Sequence, residues 1–530
     1  MPSRGVSMMD APWGPDDVPA EIWMEIFEWL PSSADLYNVL LTCKTFCALT
    51  VRALHRDVTW HKPEEFAQDL PAWDTNQGMD AVTHSLKIGF SFVPPALNGW
   101  VVHLDGSSTY RWRNDLIGID TVRLYNTVQY YALHKTSFAS QPLYDEMFTR
   151  ISSFTNLQNL TFYNVIFYNR HFALIHELPG LRTLRLELCV FPNRARSRFF
   201  DHSTLPITEL TMLNLRRRIA ENHGDRSVTV EEDIVHALSL ATAQNLRILR
   251  IDSTADVFRN VFSGFEQELH DFTIPPHLEQ LYVLRKRSLA GEVQPTFPGE
   301  STFPDPSLYT FLRRARTITT YSTYHAAAPH LLWAPESLPQ LRHYAGPIET
   351  LAGITPERPI DALVLLRCGY GVRDGVTALA GVAQVLPDLE MLAVEFRTWD
   401  DEILHAVTTL FRKLRRLRIV CDHGGPSETT LVSIGPEFLT RLPHLHTLQM
   451  YVMPVQDGGM RPLYPTSMFD PSYTSVEEEL QNLVIPWNRW CPSLREVQLL
   501  GGYVLRRGFD GGAWQVYKVA RMPEWESFTF

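Results

Sequence analysis

Cysteine is scarce in this chain, six residues in 530, and the six are scattered. So sparse a set excludes a disulfide scaffold and agrees with a reducing compartment. Cys43 and Cys47 stand one helical turn apart, as half of a metal site would, but no second Cys or His pair follows at a spacing that zinc uses. No metal and no cofactor is therefore expected. Positive charge is also in short supply, with 48 Lys and Arg against 59 Asp and Glu, a formal net charge of −11. A nucleic-acid binder would normally carry a basic domain instead. No apolar run is long enough to cross a bilayer, and the opening MPSRGVSMMDAPWGPDD lacks the apolar centre of a signal peptide. The expected partners include neither nucleic acid nor membrane, and the expected location is intracellular, cytoplasmic and/or nuclear. Also missing are a G-x-S-x-G elbow, a Walker loop, a dinucleotide fingerprint and an H-E-x-x-H pair. The run Cys421-Asp422-His423-Gly424-Gly425 reads as the end of a strand and a turn, so no residue is assigned a catalytic role and the chain is not expected to be an enzyme.

What is present is apolar surface in excess, concentrated between Val18 and Trp60. On a helix turning about 100° per residue, Ile22, Ile26, Leu30 and Trp29 fall on one side, with Trp23, Phe27 and Met24 further round. Only Glu21, Glu25 and Glu28 form a polar face. Such a helix is expected to touch its own domain on one side and something else on another. Pro19 and Glu21 suit its start and Pro31 its end. Ser32 with Asp35 suggests a cap for a second helix carrying Leu36, Val39 and Leu40, and Thr42 a cap for a third with Phe46, Leu49, Ala53 and Leu54.

Val18-Pro19, Ile22, Ile26, Leu30-Pro31, Leu36, Cys43, Phe46 and Leu54 together resemble the F-box. That resemblance implies docking on the Skp adaptor subunit of a cullin-based ubiquitin ligase core, through Val18, Pro19, Ile22, Ile26, Phe27, Leu30, Leu36, Cys43 and Phe46. Val18 stands where the family usually has leucine, and Phe46 where it often has tryptophan. A competing reading makes the three helices a cap on the domain that follows.

From about residue 155 a phrase recurs: leucine, two residues, leucine, one residue, apolar, often led by proline. Leu157, Leu160 and Phe162 spell it first, and Leu181, Leu184 and Leu186 follow, with Cys189 three places on. The series continues at Leu246, Leu278, Ile360 (with Cys368), Leu389, Leu414, Leu445 and Leu494. Weaker copies lie at Ile207 and at Leu341-Tyr344-Gly346, and an early one at Ile119, Val122 and Leu124. The alternation puts two apolar residues on one face of a short strand, and stacking the copies buries that face. The pattern resembles the leucine-rich repeats found behind F-boxes. First positions stand 24 residues apart at Leu157 and Leu181 but 49 apart at Leu445 and Leu494, whereas regular repeats keep to about 20 to 29. An irregular solenoid is expected, its longest loops at 285–307 and 454–475. A doubly wound α/β domain is the alternative, and it leaves the repeated phrase unexplained.

The expected fold class is α/β, a small three-helix F-box-like domain followed by an irregular leucine-rich-repeat solenoid, a curved parallel sheet with outer helices. Residues 1–14 form a tail expected to be disordered, 15–60 the F-box-like domain, 61–110 a linker or capping segment, 111–500 the solenoid and 501–530 an aromatic tail.

On the inner face of such a solenoid stand Arg185, Arg250 and Arg418, with Arg416 beside them and Glu187 and Asp252 as possible partners. Ala362, Val364, Leu366, Met391 and Ala393 are expected to face outward there and yet are apolar, which marks either a surface that binds a protein substrate or one that the tail, with Trp514, Tyr517, Trp525, Phe528 and Phe530, covers. The implied function is a substrate adaptor in which the F-box holds the ligase core and the solenoid an unknown protein. A leucine-rich scaffold with no ubiquitin role is the alternative, and an enzyme whose site forms only in three dimensions is a third.

Overall fold

The structure, a computed structural model, describes residues 18–30, 33–75, 79–90, 99–103, 108–109, 141–167, 169–192, 200–220, 237–252, 257–262, 273–284, 307–323, 336–348, 358–368, 372–452, 472–500, 503–508 and 511–518. It divides into two units, Met1–Asn245 and Leu246–Phe530. The phrase near Ile119, the loops 285–306 and 453–471, and Trp525, Phe528 and Phe530 lie outside the described residues.

The first unit opens with helices α1 (Ala20–Glu28), α2 (Ser33–Leu40) and α3 (Lys44–Leu54), followed by β1 (Asp57–Trp60), α4 (Pro63–Thr75) and β2 (Ser85–Ile88). β3 (Gly99–His103) and β4 (Ser108–Thr109) precede α5 (Gln141–Ser152), β5 (Asn159–Tyr163), α6 (Asn169–Glu177), β6 (Thr183–Glu187), β7 (Val190–Pro192), β8 (Glu209–Leu213) and β9 (Arg216–Ala220). β1, β2, β5, β6 and β8 pair in parallel and in that order, with Leu86, Leu160, Leu184 and Leu210 in one row. β3, β4, β7 and β9 make a separate small sheet. The parallel run thus begins at Asp57, inside the stretch expected to be the F-box-like domain, and its second strand, β2, lies in the stretch expected to be a linker or cap. In β2 the first leucine of the phrase is replaced by Thr83, which is buried and donates its hydroxyl to His55 O at 3.1 Å.

The second unit continues the pattern. β10 (Ile248–Asp252), β11 (Gln280–Leu284), β12 (Thr320–Thr323), β13 (His343–Pro347), β14 (Ala362–Cys368), β15 (Met391–Thr398), β16 (Arg416–His423), β17 (Thr447–Val452) and β18 (Glu496–Leu500) pair in parallel in chain order. Their connections include α7 (Ser307–Arg314), α8 (Val372–Val385), α9 (Asp401–Leu410), α10 (Glu428–Ser433) and α11 (Val476–Val484). Helix starts fall where a short polar side chain can take an orphan N–H: Asp400 accepts from Glu402 N, Ser427 from Thr430 N and Ser475 from Glu478 N.

One row of side chains runs Leu249, Leu281, Tyr321, Tyr344, Leu363, Leu392, Leu417, Leu448 and Val497, all buried. Two tyrosines replace leucine in this row, so β12 escapes the sequence phrase and β13 is a weak member of it. Burial pushes the Tyr321 phenol well above its ordinary value. The bulk of Tyr344 explains Gly346, since a Cβ there would run into the Tyr344 phenol.

Backbone bonding fixes the register. The carbonyl of the residue before each strand accepts two consecutive N–H groups from the next repeat, as Asp361 O does from Glu390 and Met391 at 3.0 and 3.1 Å, and Glu390 O from Arg415 and Arg416 at 2.7 and 3.1 Å. His84 O, Gln158 O and Arg182 O do the same in the first unit. After β5, β6 and β8 the chain turns through a left-handed residue, Asn164, Leu188 and Asn214. Leu188 N reaches Leu213 O of the next repeat at 2.9 Å. Cys189, at the position where the repeat carries Asn or Cys, is buried and its thiol lies 3.4 Å from Phe162 O.

The described tail does not cover the inner face. β19 (Tyr503–Arg506) and β20 (Gln515–Lys518) pair antiparallel onto β18, and the buried Trp514 donates its indole N–H to Asn488 Oδ1 at 3.0 Å beside α11. The described apolar residues of the tail therefore extend the sheet rather than lying over β14.

Gly346→Ala is expected to lower stability by about 1–3 kcal/mol through overpacking. Urea unfolding checks this, and adding Tyr344→Leu should restore most of the loss.

Candidate docking surface

α1 starts at Pro19, whose carbonyl accepts from Ile22 N at 3.1 Å, and stops at Trp29, whose N–H returns to Ile26 O. α3 is capped by Cys43, whose Sγ accepts from Phe46 N at 3.4 Å. Thr42, expected in that role, instead donates its hydroxyl to Val39 O at 2.7 Å, and α3 starts one residue later than Thr42 would cap, at Lys44. The helices meet through Trp23, Phe27 and Phe46, with ring centroids 4.7 Å apart for Trp23 and Phe46 and 5.5 Å for Phe27 and Phe46.

This contact is small. Among the described residues from 18 to 54, only Phe27 and Thr50 are buried. Ile22, Ile26, Trp29, Tyr37 and Leu41 are exposed, five of the nine large apolar side chains in that condition among the described residues of the whole chain. α1 therefore carries two stripes: Trp23 and Phe27 turned to α3, and Ile22, Ile26 and Trp29 turned to solvent. Of the residues expected to dock, Ile22, Ile26, Pro19 and Cys43 are exposed and Val18, Leu30, Leu36 and Phe46 half-buried. Phe27 is the exception, being buried against Trp23 and Phe46, where it holds the helices together. Tyr37 and Leu41 were not among the expected docking residues, nor was Trp29, although the helical periodicity placed it beside Ile22.

Residues 15–61 match the family described as F-box-like. The segment is an F-box-like domain. No curated protein sequence matches the chain. Among solved structures it is similar to an internalin from Listeria monocytogenes, at 13% identity over 57% of this chain and 69% of that one, TM-score 0.23. It is also similar to a chain of the Toll–Spätzle complex of Drosophila, at 12% identity over 67% of this chain and 42% of that one, TM-score 0.27. A chain of the mouse RP105/MD-1 complex matches at 10% identity over 52% and 36%, TM-score 0.21. The leucine-rich-repeat character of the parallel strands behind the F-box-like domain rests on their own register: short parallel strands in chain order, one inward row made mostly of leucine, and a helix or turn returning between them.

The apolar patch in the second unit is not the open surface expected of it. Ala362, Val364, Leu366 and Ala393 are buried, and Val364, Leu366 and Ala393 form with Ala345 a small cluster against which the half-buried Met391 packs. In the sheet register Ala345, Val364 and Ala393 lie side by side on one face, and small side chains there pack together out of contact with water. The same face opens again further along, where Arg416 is exposed and Arg418, Gln449 and Tyr451 are half-buried, Arg418 lying over the Tyr451 ring at 5.4 Å. Arg185 pairs with Glu187, and Arg250 lies over the Tyr282 ring at 5.2 Å.

Two polar clusters have catalytic-looking geometry. His343 sits 3.1 Å from Thr320 Oγ1 by Nδ1 and 3.3 Å from Asp361 by Nε2, the order of a hydroxyl–imidazole–carboxylate relay. Thr320 is buried, however, so the three groups tie β12, β13 and β14 together instead of meeting a substrate. In the first unit His176 Nε2 and His202 Nδ1 stand 3.0 Å apart with Phe200 stacked on His176. β16 runs to His423 and Gly424 turns at φ 80°, so the Cys421–Gly425 run is the expected strand end and turn. No group of three His, Cys, Asp or Glu that could hold a metal occurs among the described residues, and no described helix is long and apolar enough to cross a membrane.

Two expectations follow. Phe27→Ala should cost about 3 kcal/mol within the helices, and Ile26→Ala no more than about 0.5 kcal/mol, read as protease susceptibility between residues 20 and 54. Burial holds His176 below its ordinary 6.5 against the opposing pull of Asp201, and holds His343 low against Asp361. The unfolded chain then binds protons that the folded chain does not, so stability is full above 6.5 and declines as pH falls from there through the lowered values. His176→Gln should flatten that decline in urea titrations across the window.

Proposed function

We propose that the chain is a substrate-recognition adaptor of an SCF-type ubiquitin ligase. Its F-box-like domain docks on the Skp subunit of a cullin-based core, and its leucine-rich-repeat sheets hold a protein target. The observation that carries this reading is the thin core of the three helices: Ile22, Ile26, Trp29, Tyr37 and Leu41 are exposed within a segment that matches the F-box-like family, while among the described residues of the helices only Phe27 and Thr50 are buried. A three-helix unit with so little core is completed by a partner. The exposed residues of α1 recur at i, i+4 and i+7, the spacing by which a helix lies in an apolar groove.

An adaptor needs no acid, base or nucleophile of its own. Holding a target beside a charged conjugating enzyme raises the effective concentration of its lysines, and that proximity supplies the rate. On the sheet the target meets the open strip around Arg416, Arg418, Gln449 and Tyr451, since the apolar floor at Val364 is withdrawn from solvent.

Ile26→Asp should abolish retention of a purified Skp subunit by the full chain, because docking would bury an unpaired carboxylate at a cost of several kcal/mol. Retention unchanged by that substitution contradicts the reading. Cullin co-purifying with the wild type but not with the variant separates a ligase adaptor from a leucine-rich scaffold.

A further inference from the structure

Trp29 is 81% exposed, more than any other large apolar side chain among the described residues. Its backbone closes α1, with its N–H bonded to Ile26 O at 3.1 Å, so the end of the helix fixes its position while its indole stands in water. It follows Ile22 and Ile26 on the same stripe and lies one turn beyond Ile26. A tryptophan brings about 150–250 Å² of surface to a contact, with a polar N–H that can stay at a wet rim, and tryptophan leads the residues that dominate interface energies.

We infer that Trp29 is the principal anchor of the docking stripe. It extends the contact past the Ile22 and Ile26 pair into an apolar pocket at the end of a groove between helices of the partner. Continuity with the stripe and the i, i+4, i+7 spacing identify the occupant as an adaptor presenting such a groove, not a target held on the sheet. The inference rests on the adaptor reading and adds to it a residue that the docking set Val18 to Phe46 did not contain.

The test is a titration of purified Skp subunit against the full chain as wild type, Trp29→Ala, Trp29→Tyr and Ile26→Asp, with circular dichroism of each variant. The expected result is a loss of about thirtyfold for Trp29→Ala, most of it restored in Trp29→Tyr, with helical content unchanged and no binding by Ile26→Asp. If Ile26→Asp abolishes binding while Trp29→Ala stays within about twofold, the anchor is overturned and the adaptor reading stands. If Ile26→Asp binds as wild type does, the adaptor reading itself fails. A wild type that self-associates, made monomeric by Trp29→Ala with adaptor affinity unchanged, makes the stripe a contact between copies and also overturns the inference.

Discussion

The parallel strands of both units depend on one backbone carbonyl per repeat. Placed just before the strand, it accepts two successive N–H groups from the next repeat, so neither the register nor the direction of the following strand is free. A one-residue slip would turn every leucine of the row to the opposite face. Charged side chains at these same positions, Arg247 with Glu279, Arg342 with Asp361 and Arg415 with Glu390, line up because the carbonyls do. Being exposed, such pairs contribute at most about 1 kcal/mol each, so the ladder organises them more than they hold it.

The three N-terminal helices lack a ladder of this kind. Their inward contact is Trp23, Phe27 and Phe46, and Ile22, Ile26, Trp29, Tyr37 and Leu41 face water. Burying one such side chain is worth about 1.5–3 kcal/mol, so a surface of five is a large unsatisfied driving force. The contrast is between a well-locked run of strands and a thinly cored helical module.

Most strands were legible in the sequence because the period of two leaves a clear mark when leucine fills both inward positions. β2 and β12 left none, since Thr83, Tyr321 and Thr323 occupy inward places with side chains that read as polar and are buried through hydrogen bonds or sheer bulk. Alternation also reported correctly that Val364 and Ala393 share a face. It could not say that this face is closed at β13 to β15 and open at β16 and β17, because closure depends on what lies above a strand and not on the strand. In the helices the surplus of apolar surface was evident, but its division was not: Phe27 turns inward against Phe46 of α3, and α3 starts at Lys44, which leaves Cys43 and not Thr42 as the cap.

The most direct measurement of the central claim is hydrogen exchange of the full chain alone and with the Skp subunit. Amides of α1 and α2 should become at least about tenfold slower on binding while those of β10 to β18 stay as they were, since the thinly cored helices gain a partner and the sheet is already complete. Unchanged exchange in α1, with or without the subunit, would contradict the account.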